Sequence, residues 1–77
     1  MVVELVALVA QQLVSEPEKL EISAREGGRG LHIEIRCAQG DVGRLIGRGG
    51  RTINSIRTLA RAASEGQERV EVQLVGA

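Results

Sequence analysis

Apolar and polar residues alternate along the chain in two periods, and these predict helices and strands in a definite order. Apolar residues recur at helical spacing through residues 2–14, which predicts an amphipathic first helix. Its predicted inner face consists of Val2, Leu5, Val6, Val9 and Leu13, with Leu8 and Val14 beside it. Pro17 disfavours helical geometry at the residue before it, so this helix is expected to end at 15–18.

Strict alternation of apolar and polar residues predicts three strands, at 19–25, 31–37 and 69–75. The first is expected to be half-buried, and a glycine-rich turn at 26–30 joins it to the second. The predicted inward residues, strand by strand, are Leu20, Ile22 and Ala24, then Leu31, Ile33, Ile35 and Cys37, then Val70, Val72 and Leu74. His32 is expected to be a surface residue of the second strand.

Two helices are predicted between the second and third strands. Asp41 is the expected N-cap of a short helix at 42–46. A longer helix runs from about 51 to 64 and ends near Gly66. Its apolar stripe is Ile53, Ile56, Leu59, Ala60 and Ala63, with Arg57 and Arg61 as an outward pair. The predicted order is α-β-β-α-α-β, in one domain spanning residues 1–77.

The segment between these two helices is a glycine-rich loop, in which Gly47, Gly49 and Gly50 let another backbone approach closely. The helix that opens near Arg51 presents unpaired N–H groups and the positive end of its dipole to the loop. Three arginines lie at or beside it: Arg44, Arg48 and Arg51. Backbone donors and guanidinium groups together favour phosphate oxygens. The loop is therefore predicted to bind an anion.

Two familiar phosphate motifs do not fit this loop. A P-loop requires Lys followed by Ser or Thr directly after its last glycine, whereas Arg51 follows Gly50 here. The dinucleotide fingerprint requires Gly-x-Gly-x-x-Gly after a strand, and that spacing is absent. Catalysis is not predicted either, because no His–carboxylate, Cys–His or paired-carboxylate arrangement emerges from the spacing.

Composition narrows the possible partners. The 77 residues include no aromatic residue, which excludes the stacking platforms on which many proteins hold bases. One cysteine and one histidine provide neither an internal disulfide nor a structural metal site, so no cofactor is predicted. The apolar run at 2–14 is too short to span a membrane, and Glu4 interrupts it without a basic leader. A cytoplasmic protein with no membrane partner is expected.

Charge is unevenly distributed along the chain although its formal net value is zero. Residues 41–64 contain five arginines and one acid, a net charge of +4. The remainder carries five basic and nine acidic residues, a net charge of −4. Positive charge is thus gathered on the segment that contains the glycine loop, as expected for a nucleic-acid contact.

The spacing Ile46-Gly47-x-x-Gly50-x-x-Ile53 resembles the signature of the KH domain, whose GxxG loop clamps single-stranded nucleic acid by its backbone. The longer string from Asp41 to Leu59 resembles small bacterial single-KH proteins of the KhpA (YlqC) family, and the resemblance extends over essentially the whole chain. It implies an α+β, type II KH fold, with a three-stranded mixed sheet covered on one face by three helices. One departure is Gly49, where such proteins often have lysine or glutamine.

The resemblance also implies partners and contact residues. Family members are cytoplasmic RNA-binding proteins that form homodimers or pair with a larger KhpB (Jag) protein, and they are linked to post-transcriptional regulation, RNA chaperoning and cell elongation. The residues expected to bind single-stranded RNA are Arg44, Ile46, Gly47, Arg48, Gly49, Gly50, Arg51 and Ile53. The residues expected at a dimer interface on the third helix are Ile56, Leu59 and Ala63.

In this mode the phosphates lie over the loop and the bases enter a narrow apolar groove. The expected helical wall is Val42, Leu45, Ile46 and Ile53, and the strand wall is Ile33 or Ile35. Strand backbone and arginine side chains would supply the hydrogen bonds to base edges. The alternative is an assembly module whose main role is pairing with another protein, with a weak or vestigial RNA site. Neutral net charge and Gly49 favour that alternative.

Overall fold

Three helices and three strands follow one another in the predicted α-β-β-α-α-β order in a computed structural model that describes residues 1–66 and 68–76. Short 3₁₀ turns at Pro17–Lys19, Gln39–Asp41 and Arg48–Gly50 lie between them. The bounds are α1 Val2–Leu13, β1 Glu21–Gly27, β2 Gly30–Cys37, α2 Val42–Ile46, α3 Arg51–Ala63 and β3 Val70–Gly76.

The sheet is mixed and has the order β1-β2-β3. β1 pairs antiparallel with β2, as in Ile22 opposite Ile35, because a hairpin joins them directly. β3 pairs parallel with β2, as in Ile33 opposite Val72, because α2 and α3 carry the chain back to the same end of the sheet. The predicted type II KH arrangement is thus confirmed.

The core lies between the sheet and the helices, and β2 contributes most to it. All four inward residues predicted for β2 are buried, and Ile33 and Ile35 have no exposed surface. Leu45 and Ile56 meet them from α2 and α3. A central strand has neighbours on both sides and helices above it, so its alternation predicts burial reliably.

The inner face of α1 differs in part from the prediction. Val2 and Val6 are buried as expected, but the third buried residue is Ala10, whose small side chain has no exposed surface. Leu5, predicted for this face, is only half-buried, and Leu8 is 56% exposed. Small side chains let a helix approach its neighbour closely, which explains why an alanine rather than a leucine occupies the contact.

The edge strand β1 differs most from its predicted bounds and burial. Pro17 begins a 3₁₀ turn that uses residues 17–19, so the strand starts at Glu21 rather than at 19. Leu20 and Ile22 are half-buried against the core, but Ala24 is exposed. The strand also continues to Gly27, which pairs with Gly30 of β2. The turn predicted at 26–30 therefore contains only the two residues between these glycines.

Other boundaries shift by one residue: α1 and α3 each end one position earlier than predicted, and β3 begins and ends one later. Such differences at element ends are ordinary. No helix among the residues that the structure describes is long and apolar enough to cross a membrane.

Candidate nucleic-acid interface

The glycine loop is a tight turn that joins α2 directly to α3. The N–H of Gly47 donates to the carbonyl oxygen of Gly43 at 2.9 Å and so closes α2. The N–H of Gly50 then donates to the carbonyl oxygen of Gly47 at 3.1 Å. Within four residues the chain leaves one helix and enters the next, so its backbone passes over the surface at the N-terminus of α3.

The three loop glycines serve different purposes. Gly47 has a φ of 75°, and a Cβ there would lie 2.2 Å from Oγ1 of Thr52, so both conformation and space require glycine. Gly49 and Gly50 also have positive φ values, 63° and 79°. A Cβ at Gly49, however, would meet no atom of residues 1–66 and 68–76 within 4 Å. Gly47 is therefore part of the frame of the loop, while Gly49 is its open surface.

Two of the three flanking arginines carry unopposed charge. Arg48 and Arg51 are exposed, and neither takes part in an ion pair among residues 1–66 and 68–76. Nε of Arg44 lies 3.3 Å from Oδ1 of Asp41, which offsets its charge in part. The N-terminus of α3 has no side-chain cap, so its dipole adds to the positive field there.

Asp41 occupies the predicted N-cap position of α2, but its side chain is used elsewhere. Its side chain makes no capping hydrogen bond to α2 and is instead fully buried. The carboxylate accepts hydrogen bonds from the backbone N–H of Ser15 at 2.9 Å, the hydroxyl of Ser15 at 2.8 Å and the N–H of Glu16 at 3.1 Å. The carboxylate thus ties the segment after α1 to the N-terminus of α2, the short helix that leads into the loop.

These contacts also set the ionisation of Asp41. The hydrogen bond from the backbone of Ser15 is the main reason that the pKa of the carboxyl is lowered. The Ser15 hydroxyl, the Glu16 N–H and the Arg44 guanidinium lower the pKa further, whereas burial opposes the shift. The charged form is therefore the one that these groups stabilise.

An apolar groove opens beside the loop, with α2 and α3 on one side and the edge strand β3 on the other. Val42 and Ile46 of α2 and Ile53 of α3 form one wall, and Val72 and Leu74 of β3 form the other. Ile46 is 40% exposed, while Ile53 is 5% exposed and belongs mainly to the core. Ile53 thus presents only an edge to the groove, whereas Ile46 lies at the surface.

Three residues predicted to line the groove do not. Leu45, Ile33 and Ile35 have no exposed surface and lie in the core. The strand wall comes from β3 instead, because β2 is the central strand and is covered on both sides. Alternation along a strand identifies its inward face but not which strand lies at the edge.

The position of β3 at the edge leaves part of its backbone unpaired with other strands. The N–H of Leu31 donates to the carbonyl oxygen of Arg69 at 2.7 Å. This hydrogen bond determines which residues of β3 direct their backbone groups toward β2. Residues alternate in the direction of their backbone groups, so those of Val72 and Leu74 point to the free edge, along the groove. A row of backbone donors and acceptors thus borders the apolar wall.

Arg57 is a candidate functional residue that the sequence did not identify, because it was predicted to point outward together with Arg61. It is half-buried and lines the groove rather than pointing away with Arg61, which is exposed as predicted. Its Nε donates to the carbonyl oxygen of Val72 at 3.3 Å, and Nη1 donates to Oδ1 of Asn54 at 2.9 Å. The polar rim is completed by His32, Glu71 and Gln73. The sequence gives one indication of this orientation: Asn54 precedes Arg57 by one helical turn, a spacing at which the two side chains can form a hydrogen bond.

The three residues predicted for a dimer interface separate in the structure. Ile56 is 2% exposed and belongs to the core, and Ala63 is half-buried against it. Leu59 projects outward and is 44% exposed, beside a shallow depression formed with polar residues of α3. Leu59 thus lies outside the buried part of the apolar stripe of α3, and pairing through α3 stays a prediction.

Comparison with known proteins places these features in a family. A model of the KhpA/KhpB KH domain matches residues 3–74. A protein of Caldanaerobacter subterraneus subsp. tengcongensis, named RNA-binding protein KhpA, is 37% identical over 73 residues, covering 94% of this chain and 97% of its own. Proteins of the same name from Leifsonia xyli subsp. xyli and Borreliella burgdorferi are 39% and 34% identical, covering 87% and 95% of this chain and 87% and 90% of their own.

Proposed function

Because the chain belongs to the KhpA/KhpB KH-domain family, a family of RNA-binding proteins and not of enzymes, we propose that it binds short single-stranded RNA. Phosphates lie over the backbone of Gly47–Gly50, and bases enter the groove beside the loop. One juxtaposition carries this proposal: an open glycine turn with unopposed arginines lies at one end of an apolar groove that has a free strand edge.

The loop is suited to phosphates and the groove to bases, because their surfaces differ in chemistry. Arg48 and Arg51 provide exposed positive charge beside the turn, where phosphate oxygens can be contacted without burying a charge. The apolar surface for the flat faces of bases comes from Ile46 and Leu74, which line the groove and are not fully buried. The chain has no aromatic residue on which bases could stack. Because the loop has few side chains, each contact is modest and binding by one domain is expected to be weak.

A pair of matched variants tests the loop. Arg48→Asp/Gly49→Asp places two negative charges where the phosphates are expected, and Arg48→Asn/Gly49→Asn is its nearly isosteric neutral control. Asp and Asn both tolerate the positive φ of position 49, so the two variants share any backbone cost. Fluorescence anisotropy with a labelled single-stranded RNA should show binding lost with Asp and only weakened with Asn. Circular dichroism should show both folded, and equal affinity of the two variants would mean that the loop is not the site.

A second candidate function is assembly, either as a homodimer or with a KhpB/Jag-type partner. The supporting observation is Leu59, a large apolar side chain that is 44% exposed on α3. A dimer would present two loops to one RNA and gain avidity, which suits a post-transcriptional regulator or RNA chaperone. The two functions are therefore compatible.

Leu59→Glu tests the assembly surface, with Leu8→Glu as the control on α1, where the side chain is 56% exposed. Light scattering should give a dimer for the parent protein and for Leu8→Glu, and a folded monomer for Leu59→Glu. A Leu59→Glu protein that is still dimeric would move the interface elsewhere, and a monomeric Leu8→Glu protein would assign it to α1. A monomeric parent protein would leave only the heterologous partner.

A further inference from the structure

Two hydrogen bonds orient the side chain of Arg57 in the wall of the groove. Its Nε bonds to the carbonyl oxygen of Val72 on the free edge of β3, and its Nη1 bonds to Oδ1 of Asn54 one helical turn earlier. The two anchors belong to different elements, so the plane of the guanidinium group is fixed with respect to both walls. Preorganisation of this kind lowers the entropy cost of each further hydrogen bond.

Within the part of the chain that the structure describes, most of the hydrogen-bonding capacity of this guanidinium group is unused. Arginine has five N–H donors and no acceptor, and these two hydrogen bonds use two of the five. None of the ion pairs among residues 1–66 and 68–76 involves Arg57. A half-buried, charged fork with unused donors therefore faces the groove.

We propose that Arg57 is a specificity-determining residue that selects bases presenting two adjacent hydrogen-bond acceptors, namely cytosine or guanine. The inference rests on the proposed RNA-binding function of the groove. Cytosine offers O2 and N3 side by side, and guanine offers O6 and N7, which arginine contacts in a bidentate manner. In adenine an amino group lies next to N1 and N7, and in uracil N3–H separates the two carbonyl oxygens.

The other polar groups of the groove do not provide the same selection. The free-edge backbone groups of Val72 and Leu74 include both donors and acceptors, so every base can use some of them. Glu71, an acceptor on the rim, is 3.8 Å from Nδ1 of His32 and 3.6 Å from Nε of Arg69. The guanidinium group is thus the element of the wall that consists of donors alone.

A phosphate contact by Arg57 is the competing explanation, and salt dependence separates the two. Phosphate contacts release counterions and steepen the dependence of affinity on salt, whereas base contacts change the preference for sequence. Arg57 lies among the apolar residues Ile46, Ile53 and Val72, on the side of the groove where bases are expected. This location favours contact with bases over contact with phosphates.

The test compares single-stranded oligo(C), oligo(A), oligo(U) and an alternating UG strand by anisotropy, each over a range of salt concentrations. The parent protein should bind oligo(C) or the UG strand roughly tenfold more tightly than oligo(A) and oligo(U). Arg57→Gln should remove that preference without changing the salt slope. Arg61→Gln, which removes the same charge one turn further on an exposed face, should change neither.

Each other result has a defined meaning. Equal affinity of the parent protein for all four strands overturns the inference alone, while no binding to any strand overturns the proposed function as well. If the base preference survives Arg57→Gln, Arg57 has another role. The same holds if the slope of log K against log salt becomes shallower by about 0.7 while the preference stays intact. If circular dichroism shows Arg57→Gln unfolded, Arg57→Lys replaces it, because lysine keeps the charge and stem but loses the planar fork.

Discussion

The salt dependence of RNA binding should report how many arginines contact phosphate. Each phosphate contact contributes roughly −0.7 to the slope of log K against log salt for a single strand. With Arg44, Arg48 and Arg51 all in contact, the slope is about −2, and affinity falls roughly twentyfold between about 50 and 200 mM salt. Because Arg44 is paired with Asp41 at 3.3 Å, it should contribute less than the other two.

Single substitutions make the prediction specific. Arg48→Gln and Arg51→Gln should each make the slope shallower by about 0.7, and Arg44→Gln by less. The matched control is Arg29→Gln in the turn between β1 and β2, which lies near Arg69, the residue before β3, and away from the loop. It removes one positive charge and should leave the slope unchanged. A flat dependence for the parent protein, or an Arg29→Gln effect equal to that of Arg48→Gln, would refute clamping of the RNA backbone at this loop.

Two further predictions concern the frame of the loop. Gly47→Ala should lower stability by about 1–3 kcal/mol, since its Cβ would meet Thr52, and should lower the melting temperature more than Gly49→Ala, whose Cβ meets nothing. For Asp41, the lowered folded-state pKa means that its stabilising effect is complete above the unfolded-state pKa of about 3.9 and is lost as pH falls through the lower folded value. Urea unfolding should therefore show Asp41→Asn less stable than the parent protein near neutral pH, with a gap that narrows in acid; a gap independent of pH would contradict this account.

The order of elements and the centre of the core could be predicted from the sequence because they depend on local periodicity. The alternation through Ile33 and Ile35 identifies a buried strand, and the spacing of Ile53 and Ile56 identifies the inner face of α3. The glycine loop was equally accessible, since positive φ values and close backbone approach leave a direct trace in residue type.

Features that depend on which elements become neighbours could not be predicted in the same way. The strand wall of the groove comes from β3 because the parallel pairing with β2 places β3 at the edge, and a period of two residues contains no information on strand order. Arg57 was predicted to point outward, since helical spacing does not reveal the carbonyl of Val72 beside it. Asp41 fits the N-cap pattern, yet its partner Ser15 lies 26 residues away.

These long-range contacts also explain how a loop with so little side-chain chemistry can hold a fixed shape. On one side, Asp41 ties the base of α2 to the segment after α1. On the other, Gly47 fits closely against Thr52 in the first turn of α3. The turn between these anchors needs no packing of its own, so Gly49 can stay open to a ligand without loss of stability. We therefore expect the replacement of Gly49 by lysine or glutamine to act on RNA affinity rather than on the fold, beyond the modest cost of its positive φ.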